Sequence, residues 1–193
     1  IEIPDTKLLL MPWRKSHADE AICIAGSDAE YLFCHTTVLG AKFDKYRHSG
    51  EGLDSDDCKE LKRVYTGHIH LSQEYKNILY VGNPYQMTRS DANNAKGFWC
   101  VDFESGNETY YKNEYSPKFV KIYINQALES TLSEIIDVAT NNFVDIYVPN
   151  YYLIKNQVTP LITTLVCYNV SRKRCNFKVF CYSSSTCLIH KRI

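Results

Sequence analysis

No stretch of this chain approaches the roughly 18 consecutive apolar residues that a membrane-spanning helix needs, which excludes a helical span within these residues. The first fifteen residues, IEIPDTKLLLMPWRK, lack a basic n-region, an apolar h-region and a small-residue cleavage site, so no secretory signal is read there. They also lack an initiator Met, and the expectation is a piece cut from a longer chain. No C-x2-C knuckle occurs among the eight cysteines. Cys167, Cys175, Cys181 and Cys187 follow the spacing C-x7-C-x5-C-x5-C, which argues against a structural zinc site. With no export signal, disulfides are not expected, and the cysteines are read as free cytosolic thiols, Cys34 and Cys100 in the core. No acid occurs between Ser171 and Ile193, where Arg172, Lys173, Arg174, Lys178, Lys191 and Arg192 leave a basic end on a chain of zero net charge. That asymmetry suggests a polyanion partner; a solvated basic end is the plainer alternative. No internal repeat and no low-complexity linker is present.

What the chain does have is ordinary globular composition. A hydrophobic content of 45% and a charged content of 23% over 193 residues suit one domain, or one domain with a small appendage. Thr6 to Leu10 reads as a buried strand followed by the loop MPWRKSHADE, and Glu30 to Cys34 as a second buried strand ending at His35. A polar stretch from Gly40 to Leu53 leads to a short helix over Asp54 to Lys62, with Asp54 or Ser55 as N-cap. Arg63 to Thr66 and Asn77 to Val81 read as strands; Gly97 to Phe103 and Glu108 to Lys112 read as a hairpin around the turn ESGN. Beyond Pro117 the spacing predicts a strand over Lys118 to Ile124, then an amphipathic helix over Thr131 to Thr140. Leu132, Ile135, Ile136 and Ala139 lie on one face of that helix, and Thr131 with Glu134 forms a capping box. Phe143 to Val148 closes a β-α-β lobe. From about Val170 onward no clear period is visible. The fold class is α/β: a mixed sheet with few helices.

Six histidines are present. His17 and His48 lie in polar loops and His190 in the tail, and all three are read as surface residues. His68 and His70 differ, because they flank one residue at the end of a short apolar strand, directly after Gly67. Residues i and i+2 of an extended segment project to one side, and Gly67 is read as the tight turn that presents them. His35 directly follows another apolar strand, YLFCH. The C-terminal edge of the strands is where open α/β sheets place ligands. Three imidazoles converging there suit a divalent cation. They read either as a three-histidine zinc site or as the histidine half of a two-metal centre whose carboxylates come from elsewhere. A packed or surface histidine pair is the alternative.

The order C-H-T-x-x-x-G from Cys34 through His35 to Gly40, then Y-T-G-H-I-H from Tyr65 to His70, then I-L-Y-V-G-N-P-Y-Q from Ile78 to Gln86, then K-G-F-W from Lys96 to Trp99, resembles the calcineurin-like metallophosphoesterases. It is most similar to their DNA-repair nuclease branch, which includes the SbcCD nuclease D subunit and the small subunit of the recombination endonuclease of T-even-type phages. The resemblance runs from about Leu8 to Asn150. It implies a Mn2+-dependent exonuclease and endonuclease with two cations per intact site, Mg2+ being an alternative. It also implies DNA as substrate, a coiled-coil ATPase subunit of the SbcC type as partner, a homodimer, and the cytoplasm of a bacterium or a phage-infected host. By the same resemblance His35 and His68 share one metal, His70 binds the other, and Gly67 presents the pair. Arg89, Ser90 and Lys96, in or next to the loop after Gly82-Asn83-Pro84, would contact DNA.

The family's D-x-H, G-D and G-N-H-D motifs are absent, so no catalytic histidine is assigned and the chain alone is expected to be inactive. The implied organisation is the C-terminal half of a metallophosphoesterase β-sandwich flanked by helices over 1–116, part of a DNA-positioning capping lobe over 117–170, and a basic tail over 171–193. Two other readings stand beside it: another phosphoesterase of the superfamily, and a non-catalytic nucleic-acid- or protein-binding module.

Overall fold

The computed structural model of the chain describes residues 1–3, 6–44, 46–149, 176–182 and 188–189. It is a mixed α/β protein with more strands than helices. It divides into two compact units, Ile1–Tyr85 with Asn94–Glu114, and Gln86–Asn93 with Tyr115–Ile193. Among the described residues no helix is long and apolar enough to cross a membrane.

The first unit is built on a six-stranded sheet of β1 (Glu2–Ile3), β2 (Leu8–Met11), β3 (Tyr31–Cys34), β4 (Arg63–Thr66), β5 (Gln73–Tyr75) and β6 (Ile78–Tyr80), in the order β1-β2-β3-β4-β6-β5. The four central strands are parallel, and an antiparallel strand closes each edge. Each strand shows two faces, as its pleat requires. One face carries Leu9, Met11, Leu32, Val64, Ile78 and Tyr80 into a core completed by Ile24, Val38, Leu53, Cys58, Leu61 and Ile69.

Ile24 comes from α1 (His17–Ala25), which links β2 to β3. The sequence had suggested a loop here. The helix is opened by Ser16, whose side chain accepts from the Asp19 N–H at 3.2 Å. Its buried positions are Glu20 and Ile24. A glutamate in the apolar stripe hides the helical period. The expected helix after Asp54 is a single 3-10 turn, Ser55–Cys58, capped by the Asp54 side chain.

The opposite face is aromatic and charged. Tyr31, Phe33 and Tyr65 meet Phe103 at ring-centroid distances of 5.1, 6.0 and 6.4 Å. Phe103 follows β7 (Gly97–Asp102), which pairs antiparallel with β8 (Asn107–Lys112). The β7–β8 hairpin thus covers this face, and Gly97 is required where it closes: a Cβ there would strike the Tyr111 carbonyl oxygen and the Tyr110 ring. Leu10, in register with Phe33, is on the margin of the covered area and 37% exposed, so the first long strand is half-buried and not buried throughout. Cys100 is exposed on the hairpin, contrary to its expected place in the core, because its neighbours on the inner face are Trp99 and Val101.

Arg63 of β4 locks the hairpin to the sheet. Its Nε donates to Glu108 Oε1 at 2.7 Å and its Nη2 to Oε2 at 2.6 Å, while Tyr65 Oη donates to the same Oε1 at 2.8 Å. The two side chains are only 15% and 19% exposed. Such a forked pair is worth more than a surface ion pair.

The second unit holds β9 (Phe119–Tyr123), α2 (Ile124–Glu129), α3 (Leu132–Ala139), β10 (Phe143–Pro149), β11 (Asn176–Tyr182) and β12 (Leu188–Ile189), with sheet order β12-β11-β10-β9. β9 and β10 are parallel, joined by both helices, with Ile124, Ala127, Ile135, Ala139, Val144, Ile146 and Val148 as core. The Thr131–Glu134 capping box is formed, with the Thr131 N–H donating to Glu134 Oε2 at 2.7 Å. α2 was not foreseen; it takes over Ile124, which had been read as the end of the strand. Part of the supposed aperiodic tail is strand β11, parallel to β10 and including Lys178 and Cys181. Cys167, Cys175, Cys187, Arg172, Lys173, Arg174, His190, Lys191 and Arg192 lie outside the described residues.

Arg63 holds the Glu108 carboxyl below its ordinary value of 4.5, with burial opposing and Tyr65 assisting. A carboxylate depressed in the folded state contributes stability above the unfolded value, and that contribution disappears as pH falls through the folded value. Thermal unfolding is therefore expected to lose stability on acidification from about pH 5 to about pH 3. Glu108→Gln should cost about 2 kcal/mol at neutral pH and make that acid decline shallower, as read by Tm across the pH series.

Candidate metal centre

The parallel register of β3 and β4 places Cys34 beside Thr66. The next residues, His35 and Gly67, are therefore neighbours at the C-terminal edge of the sheet, and the Gly67 N–H donates to the Cys34 carbonyl at 3.2 Å. A Cβ on Gly67 would lie 2.8 Å from His35 Nδ1. Gly67 is needed because the His35 ring rests on its α-carbon. This corrects its expected role as the tight turn, since the left-handed backbone is one residue later, at His68 with φ 76°. A non-glycine residue there is uncommon, and such strain concentrates at functional sites.

The His35 and His68 rings meet edge to face, with centroids 5.3 Å apart and planes at 83°. His35, His68 and His70 are all exposed, whereas Ile69 between the latter two is 3% exposed and part of the core. The buried Ile69 anchors the loop and leaves its two neighbours at the surface. The i, i+2 relation of the histidines is thus realised in a loop, without a strand. Loss of solvent around the ring, and after it the neighbouring His35 and His70, shift the His68 pKa below its ordinary value. That shift favours the neutral ring, the form in which imidazole binds a metal.

Two supports lie under this edge. Thr36, next to His35, donates its N–H to Thr66 Oγ1 at 3.2 Å, and Thr66 Oγ1 donates back to the Thr36 carbonyl at 3.3 Å. The Thr36 hydroxyl donates to Glu20 Oε2 at 2.7 Å, an oxygen shared with His17 Nδ1 at 2.8 Å. Glu20 is fully buried, so the glutamate that interrupts the stripe of α1 serves this strand end. His17 is accordingly half-buried and paired, while His48 is exposed as expected. The second support is Lys96. It is 5% exposed, and its Nζ donates to the His70 carbonyl at 2.7 Å and to Asn83 Oδ1 at 2.5 Å. Cys34 is no ready ligand, because burial pushes its thiol up to about 12.

Of the residues expected to contact DNA, two have other partners. Lys96 points inward, as just described. Arg89 donates from Nε to both carboxylate oxygens of Asp145, at 3.1 and 2.8 Å, with its guanidinium 5.4 Å from the centre of the Phe119 ring. Asp145 is 1% exposed, so the arginine compensates a buried charge inside the second unit. Ser90 is exposed, its Oγ 2.7 Å from Thr88 Oγ1. Sequence alone reads Arg and Lys in a loop as solvent-facing; nothing marks the acceptors that draw them inward.

The donor chemistry of the edge fits a divalent cation that takes imidazole nitrogen. The number of donors does not complete a site: among the described residues no group of three or more His, Cys, Asp or Glu side chains is arranged to hold a metal ion.

Substitutions test the placements of the His35 ring and of Arg89. Gly67→Ala should displace the His35 ring, shifting the imidazole resonances of His35 and His68 but not that of His48 in NMR spectra. Arg89→Ala strands the buried Asp145 and should lower the unfolding free energy by about 2 kcal/mol, whereas Ser90→Ala should stay within about 0.5 kcal/mol in urea melts.

No family model matches the chain. It is 33% identical over 106 residues to exonuclease subunit 1 of Enterobacteria phage T4, a match covering 54% of this chain and 31% of that protein. The chain therefore spans less than a third of the length of the curated relative it matches.

Proposed function

We propose that this chain forms part of a metal-dependent DNA exo/endonuclease subunit of the metallophosphoesterase class, acting on phosphodiester bonds in recombination or repair. The observation that supports it most is the meeting of His35 and His68 at the sheet edge, with centroids 5.3 Å apart. The similarity to a phage protein named as an exonuclease subunit agrees with it.

In this reading His35 and His68 hold one cation and His70 the other, with Mn2+ favoured and Mg2+ the alternative. The carboxylate ligands of a two-metal site are supplied from outside the described residues. Divalent cations bound there would stabilise the charge that develops on the attacking and leaving oxygens. The chain's own contribution is to hold three imidazoles in place. The lowered His68 pKa favours its neutral ring. Gly67 seats His35, and Ile69 fixes the loop between the other two. The two-layered first unit is read as the C-terminal half of the nuclease sandwich and the β-α-β unit as part of its capping lobe. DNA is the substrate, and the partners are a coiled-coil ATPase subunit and a second copy of the nuclease subunit.

The incomplete donor set favours one competing reading, a module that binds nucleic acid or protein without cleaving. Manganese-dependent cleavage of linear duplex DNA by the intact protein separates the two. His35→Ala or His70→Ala should abolish that cleavage and leave circular dichroism and Tm near wild type. Near-full activity of either variant at saturating Mn2+ would overturn the metal assignment. Salt-sensitive DNA binding without any cleavage would favour the binding module.

A further inference from the structure

We propose that the aromatic face of the sheet in the second unit is a platform for single-stranded DNA: an unpaired base stacks on Tyr123, and Lys121 takes the backbone phosphate beside it. This rests on the reading of DNA as the substrate and involves no metal ion.

The two faces of β9 and β10 differ in kind. Val120, Ile122, Val144, Ile146 and Val148 belong to the core that α2 and α3 complete. The alternate positions lie on the other face, as the pleat requires. They are Phe119, Lys121 and Tyr123 on β9, in register with Phe143, Asp145 and Tyr147 on β10. Parallel sheets are as a rule covered on both faces, and the faces that helices cover are aliphatic. Both helices that join β9 to β10 pack on the aliphatic face. The other face is aromatic and charged, a composition suited to a partner other than a helix.

Its aromatic residues form two cross-strand rows. Phe119 and Phe143 stack with centroids 4.9 Å apart, and Tyr123 and Tyr147 meet at 5.5 Å. Arg89 occupies the first row: its guanidinium lies over Phe119 and its Nε donates to Asp145. That ion pair cancels the charge of Asp145, so Lys121, exposed between the rows, leaves this face positive. The second row has an open end. β9 is an edge strand, and Tyr123 ends the row with 52% of its surface exposed. A planar base continues the row by stacking on that outer ring. Lys121 stands two residues away on the same face, about 7 Å along the strand, which puts the backbone of the stacked nucleotide within reach of its ammonium. Stacking on an aromatic ring accepts any base but needs the face of the base free, which an unpaired strand offers and a duplex does not.

Binding is read by fluorescence anisotropy of a labelled oligodeoxythymidylate of about 12 nucleotides, with the full 193-residue chain in EDTA. Tyr123→Ala should weaken binding about 10-fold, whereas Tyr123→Phe, which keeps the ring, should stay within about 2-fold. Lys121→Ala should reduce the slope of log affinity against log salt by about 0.7, the value for one phosphate of a single strand. An abasic strand of the same length should bind at least about 10-fold more weakly than the oligodeoxythymidylate. Circular dichroism and Tm check that the variants fold. Tyr123→Leu keeps the apolar bulk without the ring, and it decides the matter if Tyr123→Ala does not fold.

Equal affinity of wild type and Tyr123→Ala, or undiminished binding of the abasic strand, overturns the platform. Tighter binding of single-stranded RNA of the same length gives the face to RNA and overturns its assignment to DNA. Absence of binding, together with a dimer that Tyr123→Ala dissociates, gives the face to a second copy of the chain. Because EDTA removes divalent cations, the nuclease reading fails separately: without Mn2+-dependent cleavage by the intact protein, these affinities still establish the platform.

Discussion

The parallel pairing of β3 with β4 is the constraint on which the candidate site depends. It brings two chain segments about thirty residues apart into one register, Cys34 beside Thr66, and so makes His35 and Gly67 neighbours. The reciprocal bonds between Thr36 and Thr66 extend the pairing one step past the strands. Without them the His35 and His68 rings would hang from two independent loops. The buried Glu20 belongs to this arrangement, since it holds the Thr36 hydroxyl from beneath. Both bonds that this buried carboxylate receives, from Thr36 and His17, go to Oε2, and its Oε1 is buried without a protein partner among the described residues.

The two faces of that sheet are stabilised differently. The α1 face is mainly apolar, with Leu32, Val64 and Ile78, and carries buried hydrogen bonds around Glu20, Thr36, Thr66 and Tyr80. The hairpin face is directional: the Arg63–Glu108 fork and the rings about Phe103 admit one register of hairpin on sheet. That register places Lys96, at the foot of the hairpin, under the carbonyl of His70. The cover of the aromatic face and the support of the histidine loop are two consequences of one docking.

Much of this was legible from pattern. The apolar runs of β3 and β4, the hairpin about Asp102 to Asn107, and the capped helix α3 lie within about two residues of where periodicity and turn chemistry put them. The misses have local causes. Glu20 breaks the stripe of α1, and β5 is only three residues long and mostly exposed. α2 begins directly where β9 ends, with no N-cap side chain of the Ser, Thr, Asp or Asn type. At the site, spacing alone suggested that His68 and His70 share a side, but not the reason. That reason is Ile69, which is buried in the core of the first unit. The acceptors of Arg89 and Lys96 were not foreseen, since Asp145 lies 56 residues from Arg89 and Asn83 thirteen from Lys96.

The magnitudes explain why the strained loop persists. A left-handed conformation at His68 costs about 1–2 kcal/mol. Complete burial of the adjacent Ile69 returns about 2–3 kcal/mol, and the charge-assisted bond from Lys96 to the His70 carbonyl about another 2 kcal/mol. The strain is therefore over-determined from the C-terminal side of His68, while His35 crowds it from the other. A loop serving only as a connection could relax by putting glycine at position 68 and leaving Gly67 open to other residues. This chain does the reverse. It keeps glycine where a histidine ring must rest and histidine where glycine would be easier. The glycine stands where the His35 ring rests, and the left-handed backbone falls on His68, as it also does on Lys7, Lys76, Asn93 and Asn141 among the described residues.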